Sequence, residues 1–274
     1  MKNRSIGCVI PTLNSAETLE MALLSLRLQS RVASHTLVAD SGSTDGTLEL
    51  CCKWNVPTTY VEPGNIYDAI NAGLENIDTE WLTYLNSDDW LYSDSLSRLI
   101  ELGESSGADA VYGDCDYFDS QGRFVYSFTA AEPLQLMPLF RLARMGFAQP
   151  ATIFRRSLYQ RLNGFDTRYR FKADADFFIR ALKSGARLIR LAGPSVACFR
   201  LHPEQLSNRK SEEIEAEGKQ LFENPDGAGI LSDRLVLAQW RLKNLPNYLI
   251  RILRESLLSE RLRFPRSIES YFHQ

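Results

Sequence analysis

What most constrains this chain is an alternation along its first half. Short apolar runs are each followed by a polar or acidic cluster, and then by a stretch with helical spacing. Ile6 to Ile10 is one such run, closed by Pro11, and it reads as a buried strand. Ser15 to Leu28 places Leu19, Leu23 and Leu26 on one face and reads as a helix that Ser15 can cap, with Thr18 near its first turn. His35 to Ala39, Thr58 to Val61 and Trp81 to Leu85 repeat the strand pattern. Thr47 to Trp54, Ile66 to Ile77 and Ser93 to Ser105 repeat the helical one. Ala110 to Tyr112 follows, then strands at Tyr117 and at Phe124 to Phe128 around a Gln121-Gly122 turn. Strand, crossover helix and strand in succession predict an α/β fold: a Rossmann-like, mainly parallel sheet with helices on both faces.

In such sheets ligands bind beyond the carboxyl ends of the strands. The polar clusters lie at those ends: Thr12 and Asn14, Asp40, and Asn86-Ser87-Asp88-Asp89. Three distant segments are therefore expected to converge on one rim. After Arg141 the rhythm changes. Ala151 to Phe154 reads as a strand and Ser157 to Leu162 as a short helix stopped at Asn163-Gly164-Phe165. Asp174 to Ser184 reads as a helix, and Arg187 to Leu191 and Ser195 to Arg200 as strands. From about Ser211 the chain is helical and charged, with a loop at Asn224 to Gly229. The predicted organisation is one domain over residues 1–215 and a helical extension over 216–274, in which Pro246 splits Leu235 to Leu262 into two helices.

At 274 residues the chain can bury a core without disulfides. Five cysteines, an odd number with no C-x-x-C pair, suit a reduced, cytosolic protein. The apolar stretch after Met1 to Arg4 is too short for a signal segment, and no later stretch has the length of a membrane span. A net charge of −3 argues against a nucleic-acid partner.

Adjacent Asp88 and Asp89 after a buried strand repel unless a cation or donors compensate. Hard oxygen ligands of this kind suit Mg²⁺ or Mn²⁺ shared with a substrate phosphate, while the plainer reading is a helix N-cap. Asp40, before Ser41-Gly42-Ser43-Thr44-Asp45-Gly46, can accept from a base N–H or a ribose hydroxyl, or simply form a turn with Asp45 as the helix cap. The glycines match neither G-x-G-x-x-G nor a P-loop. Asp174 and Asp176 open a helix, where the dipole favours them; one of them can also serve as a general base. His202 follows a strand and is read either as a surface or core histidine or as a metal ligand.

Six segments taken together resemble the family 2 inverting glycosyltransferases of the GT-A fold: residues 9–14, 38–47, 64–71, 85–90, 173–176 and 200–202, in the family's order over roughly residues 5 to 210. The resemblance implies that Pro11, Thr12 and Asn14 line a nucleotide pocket and that Asp40 contacts the base. Asp68 and Asn71 would lie near the ribose or diphosphate. Asn86-Ser87-Asp88 stands where the family has its D-x-D motif, so Asp88 would meet metal and ribose, Asp89 would share that role, and His202 would help hold metal or diphosphate. Asn86 gives one charge fewer than an aspartate there. Asp174 resembles the catalytic base, with Asp176 second. The implied activity is that of a hexosyltransferase using a divalent cation, with a UDP-sugar as donor and GDP- and dTDP-sugars as alternatives. The acceptor would be a saccharide or a lipid-linked one, in polysaccharide or glycoconjugate assembly.

Two alternatives stand beside this. A nucleotidyltransferase would carry a glycine-rich basic loop after the first strand, which Pro11 to Asn14 lacks. A non-catalytic binding module would be favoured by loss of the paired acids, and all four are present. The arginine- and leucine-rich C-terminal segment reads as a helix packed on the domain or as a dimer contact, ahead of a basic helix on the inner membrane face.

Overall fold

The computed structural model describes residues 5–31, 33–202, 205, 211–222 and 230–257. The loop expected at Asn224 to Gly229 and everything after Leu257 lie outside these residues. Seven strands form the main sheet in the order β10-β6-β9-β4-β1-β2-β3. They are β1 (Ile6–Thr12), β2 (His35–Asp40), β3 (Thr58–Tyr60), β4 (Trp81–Tyr84), β6 (Ala110–Tyr112), β9 (Thr152–Arg155) and β10 (Leu188–Arg190). All pairings are parallel except those of β9, which runs antiparallel between β4 and β6. A second sheet holds β5 (Trp90–Leu91), β11 (Ala197–Leu201), β7 (Cys115–Asp119) and β8 (Phe124–Phe128) in that order. The expected Gln121-Gly122 hairpin is present as β7–β8.

Every residue of β1 is buried, as befits a central parallel strand covered on both faces. Ile6, Cys8 and Ile10 enter one core with helices α1 (Leu19–Arg27), α2 (Thr47–Trp54) and α4 (Ser95–Ser106). Val9 enters the other, with α3 (Ile66–Glu75), α6 (Arg156–Arg161) and α7 (Ala173–Lys183). Gly73 lets α3 lie directly on β1: a Cβ there would meet Val9 at 2.6 Å. Pro11 sits one residue before the end of β1. Val9 accepts from Leu85 on the β4 side and Thr12 accepts from Ser41 on the β2 side. The alternation turns the Pro11 nitrogen toward the β4 side, past Tyr84, the last residue of β4 paired with β1.

Several expectations need correction. Ser15 does not cap α1 through its side chain; its hydroxyl accepts from Ser87 at 2.9 Å, and its carbonyl receives the Thr18 and Leu19 N–H groups. Neither Asp88 nor Asp89 caps a helix, because α4 begins at Ser95 with Asp94 before it. Helix α5 (Pro133–Arg141) was not anticipated. Pro246 does not split the C-terminal segment: it lies inside one helix, α9 (Ile230–Leu257), which follows α8 (Ser211–Phe222). Trp240 of α9 is buried in the same core as α3 and α7 and donates to the Thr129 carbonyl. Asp233 pairs with Arg141 of α5 through two contacts, at 2.5 and 2.7 Å. The helix therefore packs on the domain, the first of the readings given for it.

Candidate functional site

Strands β2, β1 and β4 are neighbours, and their carboxyl ends carry the polar clusters. Thr12 is paired with Asp40 in the ladder, and Ser87 reaches across to Ser15. The expected rim is formed.

Asp40 is buried at 2% exposure and accepts four hydrogen bonds. Thr12 Oγ1 donates at 2.8 Å, the Gly42 and Ser43 N–H groups at 2.9 and 2.8 Å, and Ser43 Oγ at 2.5 Å. Burial pushes its pKa up, but these donors outweigh it and hold the carboxyl below its usual range. Asp40 therefore builds the loop that follows it. Asn14 lies opposite with φ +53, a left-handed geometry that asparagine tolerates. Its N–H donates to Ser43 Oγ and its side-chain oxygen accepts from the Thr44 N–H, so the two loops are cross-linked into one wall. Asp45 precedes Gly46, the N-cap of α2, and accepts from the Thr47 N–H and hydroxyl and from the Ala16 N–H.

The acidic pair divides its work. Asp89 is buried at 1% and accepts from the Arg200 N–H at 3.0 Å and from Asn86 Nδ2 at 3.3 Å. Burial and the charge of Asp88 push its pKa well above the usual range. Asp88 is half-buried and meets His202 Nε2 at 2.8 Å. Two segments 114 residues apart thus supply one carboxylate and one imidazole to the same point. Among the described residues no three His, Cys, Asp or Glu side chains converge. The donor set still suits a divalent cation that takes few protein ligands and completes its shell with phosphate oxygens and water. Asp88 and His202 would hold it, while Asp89 sits behind them with its oxygens engaged by Arg200 and Asn86.

Asp174 opens α7, half-buried, its Oδ1 accepting from the Ala175 N–H at 2.8 Å. Burial raises its pKa, opposed by that N–H, by Lys172 and by the Tyr67 phenol. Tyr67 and Tyr84 are themselves buried, and the charge of Asp174 helps push both phenols up. Tyr84 also feels Asp89, so the β4 end and the start of α7 share one electrostatic neighbourhood.

Three further candidates, the second-choice base Asp176 and the nucleotide contacts Asn71 and Asp68, have the following surroundings. Asp176 is buried and pairs with Arg180 Nε at 2.6 Å, while the Arg180 guanidinium also donates to the carbonyls of Leu162 and Gly164. The Asn71 amide is committed: it accepts from Tyr159 and the Phe165 N–H and donates to the Phe165 carbonyl. Asp68, in the first turn of α3, is exposed. Both Asn71 and Arg180 clamp the loop before α7, as does Asn65, whose amide donates to the Thr167 and Tyr169 carbonyls. Sequence reading missed Asn65, Tyr67 and Tyr84. An asparagine just before a helical run was the one available signal, since Asn65 also caps α3.

A sequence profile described as Glycosyl transferase family 2 matches residues 8–162. A PGL/p-HBAD biosynthesis glycosyltransferase of Mycobacterium tuberculosis is 30% identical over 199 residues, covering 70% of this chain and 75% of that one. Among solved structures, S. aureus TarS 1-349 in complex with UDP-GlcNAc superposes with a TM-score of 0.65 at 18% identity, over 93% of this chain and 77% of that one. The mannosyltransferase PcManGT from Pyrobaculum calidifontis, in complex with GDP-Man and Mn²⁺, gives 0.60 at 18% identity, over 95% and 76%. The architecture is the GT-A one.

Proposed function

The chain belongs to glycosyl transferase family 2, and on that premise we propose that it moves a sugar from a nucleoside diphosphate sugar to an acceptor hydroxyl with inversion. The observation that carries this reading is the Asp88–His202 pair at the end of β4, in the electrostatic neighbourhood that Tyr84 shares with Asp174 and Asp89. Asp174 is the base: its half-buried carboxyl, with a raised pKa, takes the proton of the acceptor hydroxyl. The oxygen attacks the anomeric carbon as the bond to the diphosphate breaks, and the nucleoside diphosphate leaves with the electron pair. A divalent cation at Asp88 and His202 would supply positive charge beside that leaving group. Thr12, Asn14 and the Asp40 loop form the wall against which the nucleotide lies. Asp40 acts by shaping this wall, since its oxygens are taken up by the protein. The commitment of Asp176 to Arg180 supports Asp174 over Asp176 as the base.

The donor is a UDP-sugar in this reading, in line with the TarS complex with UDP-GlcNAc; the GDP-Man complex of PcManGT supports GDP as the second nucleotide to test. The acceptor is a saccharide or a lipid-linked one, presented at an anionic membrane surface. No described helix is long and apolar enough to cross a membrane, but the outward face of α9 is rich in leucine and arginine.

The test pairs binding with turnover. UDP with Mn²⁺ at a hundredfold excess over its dissociation constant should stabilise the chain by about 2.7 kcal/mol, more than UDP alone. Asp174→Asn should keep that shift while release of UDP from a UDP-sugar falls by about 10² to 10⁴. Near-normal release by Asp174→Asn would remove the base assignment.

A further inference from the structure

The turn that carries the base is held from outside the sheet. Glu217, in the middle of α8, points its carboxylate at three consecutive backbone N–H groups. Oε1 accepts from Arg170 at 2.6 Å, and Oε2 accepts from Phe171 at 2.8 Å and Lys172 at 3.1 Å. Lys172 is the residue before α7, and Asp174 is the second residue of that helix. The other clamps on this loop (Asn71, Asn65 and Arg180) come from α3 and from α7 itself, and reach only residues 162–169. For the N–H groups of residues 170–172 the acceptor is the carboxylate of Glu217.

Three amide N–H groups converging just ahead of a helix form a concave positive site that calls for an anion. Here a side chain of the same chain fills it. The consequence for Asp174 is geometric: the carboxylate ties the backbone of residues 170–172, which ends two residues before Asp174, to α8. Helix α8 is seated through Leu221 and Phe222 against the core that contains α7, so the contact links the C-terminal segment to the rim.

We propose that Glu217 is a positioning residue for Asp174: its carboxylate, by spanning the N–H groups of Arg170, Phe171 and Lys172, fixes the geometry of the base. This rests on the reading of Asp174 as the base. The groups facing Asp174 are Lys172 beside it, Tyr67 from α3 and Tyr84 from β4. Removing the carboxylate takes a negative charge away from the residues just before Asp174 and leaves their three N–H groups without that acceptor, which should favour the ionised form of Asp174.

The experiment uses the full chain with Mn²⁺ and measures UDP release from UDP-glucose and UDP-GlcNAc across pH, for the parent, Glu217→Ala, Glu217→Gln and Asp174→Asn. Glu217→Ala should lower kcat by about tenfold or more, as misplacement of a catalytic group does. The donor KM should stay within about twofold, because Glu217 does not touch the nucleotide wall. The acid limb of the profile should move to lower pH. Glu217→Gln, which keeps the shape and one acceptor oxygen, should lose less rate and shift the limb in the same direction; it carries the test if the alanine variant does not fold. An unmoved limb in both variants, with kcat near the parent or falling only with the folded fraction seen by circular dichroism, overturns the positioning role. The Asp174→Asn arm separates the two readings. If it releases UDP normally, the base assignment fails; if it is inactive while both Glu217 variants behave as the parent, only the role of Glu217 fails.

Discussion

Asp40 is a residue whose chemistry is spent on structure. Four donors surround it, and in return it fixes the Ser41 to Gly46 loop against Asn14. An asparagine at this position keeps the shape but offers one acceptor oxygen and adds an NH₂ where donors already point. Asp40→Asn should therefore cost about 1.5–3 kcal/mol at neutral pH, the range for hydrogen bonds to a charged group. The sign with pH follows from the depressed pKa of the folded state. The unfolded carboxyl titrates near 3.9, so the contribution is complete above that value and is lost as pH falls through the lower folded value. Urea unfolding at pH 7, 5 and 3 should show the gap between parent and variant constant at first and narrower at pH 3. A gap that widened toward acid would contradict this account of Asp40.

At the level of elements, what the sequence made legible was the parallel half of the fold. Val9 and its neighbours form an unbroken apolar run, and such a run followed by helical spacing has few alternative readings. Thr47–Trp54 and Ala110–Tyr112 were read with the bounds observed. The antiparallel direction of β9 was not legible, because Thr152 to Arg155 looks the same in either direction and only its neighbours β4 and β6 decide. Side-chain roles were legible only in part. Asp88, Asp89 and His202 were expected to share a metal; Asp88 and His202 lie in contact, while Asp89 accepts from Arg200 and Asn86. Asn71 was expected at a ligand, but its position on α3 faces the Asn163 to Phe165 turn, a contact set by chain packing and invisible in local sequence. Asn71→Ala removes the partner of the Tyr159 hydroxyl and of both polar groups of Phe165. Each buried group left unpaired costs about 1–3 kcal/mol, so the variant should lose several degrees in Tm. Asn71→Asp keeps the acceptor for Tyr159 and the Phe165 N–H and should recover part of the loss. Equal Tm values for Asn71→Ala and the parent would show that the clamp does not hold the loop.

For the whole molecule, the question is what the outer face of α9 meets. Its inner face is accounted for: Asp233, Trp240 and Asn244 are buried against α5 and Thr129, and Lys243 pairs with Glu132, which Arg190 joins to Asp114 of the main body. Its outer face carries Leu231, Leu235, Leu242, Leu245, Leu249 and Leu253, each at least 46% exposed. Besides Lys243, which pairs with Glu132, the exposed charges described on α9 are Arg234 and Arg241, both positive, in a chain whose net charge is −3. Two such faces brought together would oppose arginine to arginine, whereas an anionic lipid surface accepts both the leucines and the flanking charges. The full chain should therefore pellet with phosphatidylglycerol vesicles, less with phosphatidylcholine vesicles, and less again at high salt. Replacing Leu235, Leu242 and Leu249 together with glutamate should abolish pelleting without changing Tm, because none of the three is in the core. If instead the parent fails to pellet and sediments as a dimer that the triple variant dissociates, the face is a contact between copies, and the acceptor must be sought among soluble saccharides.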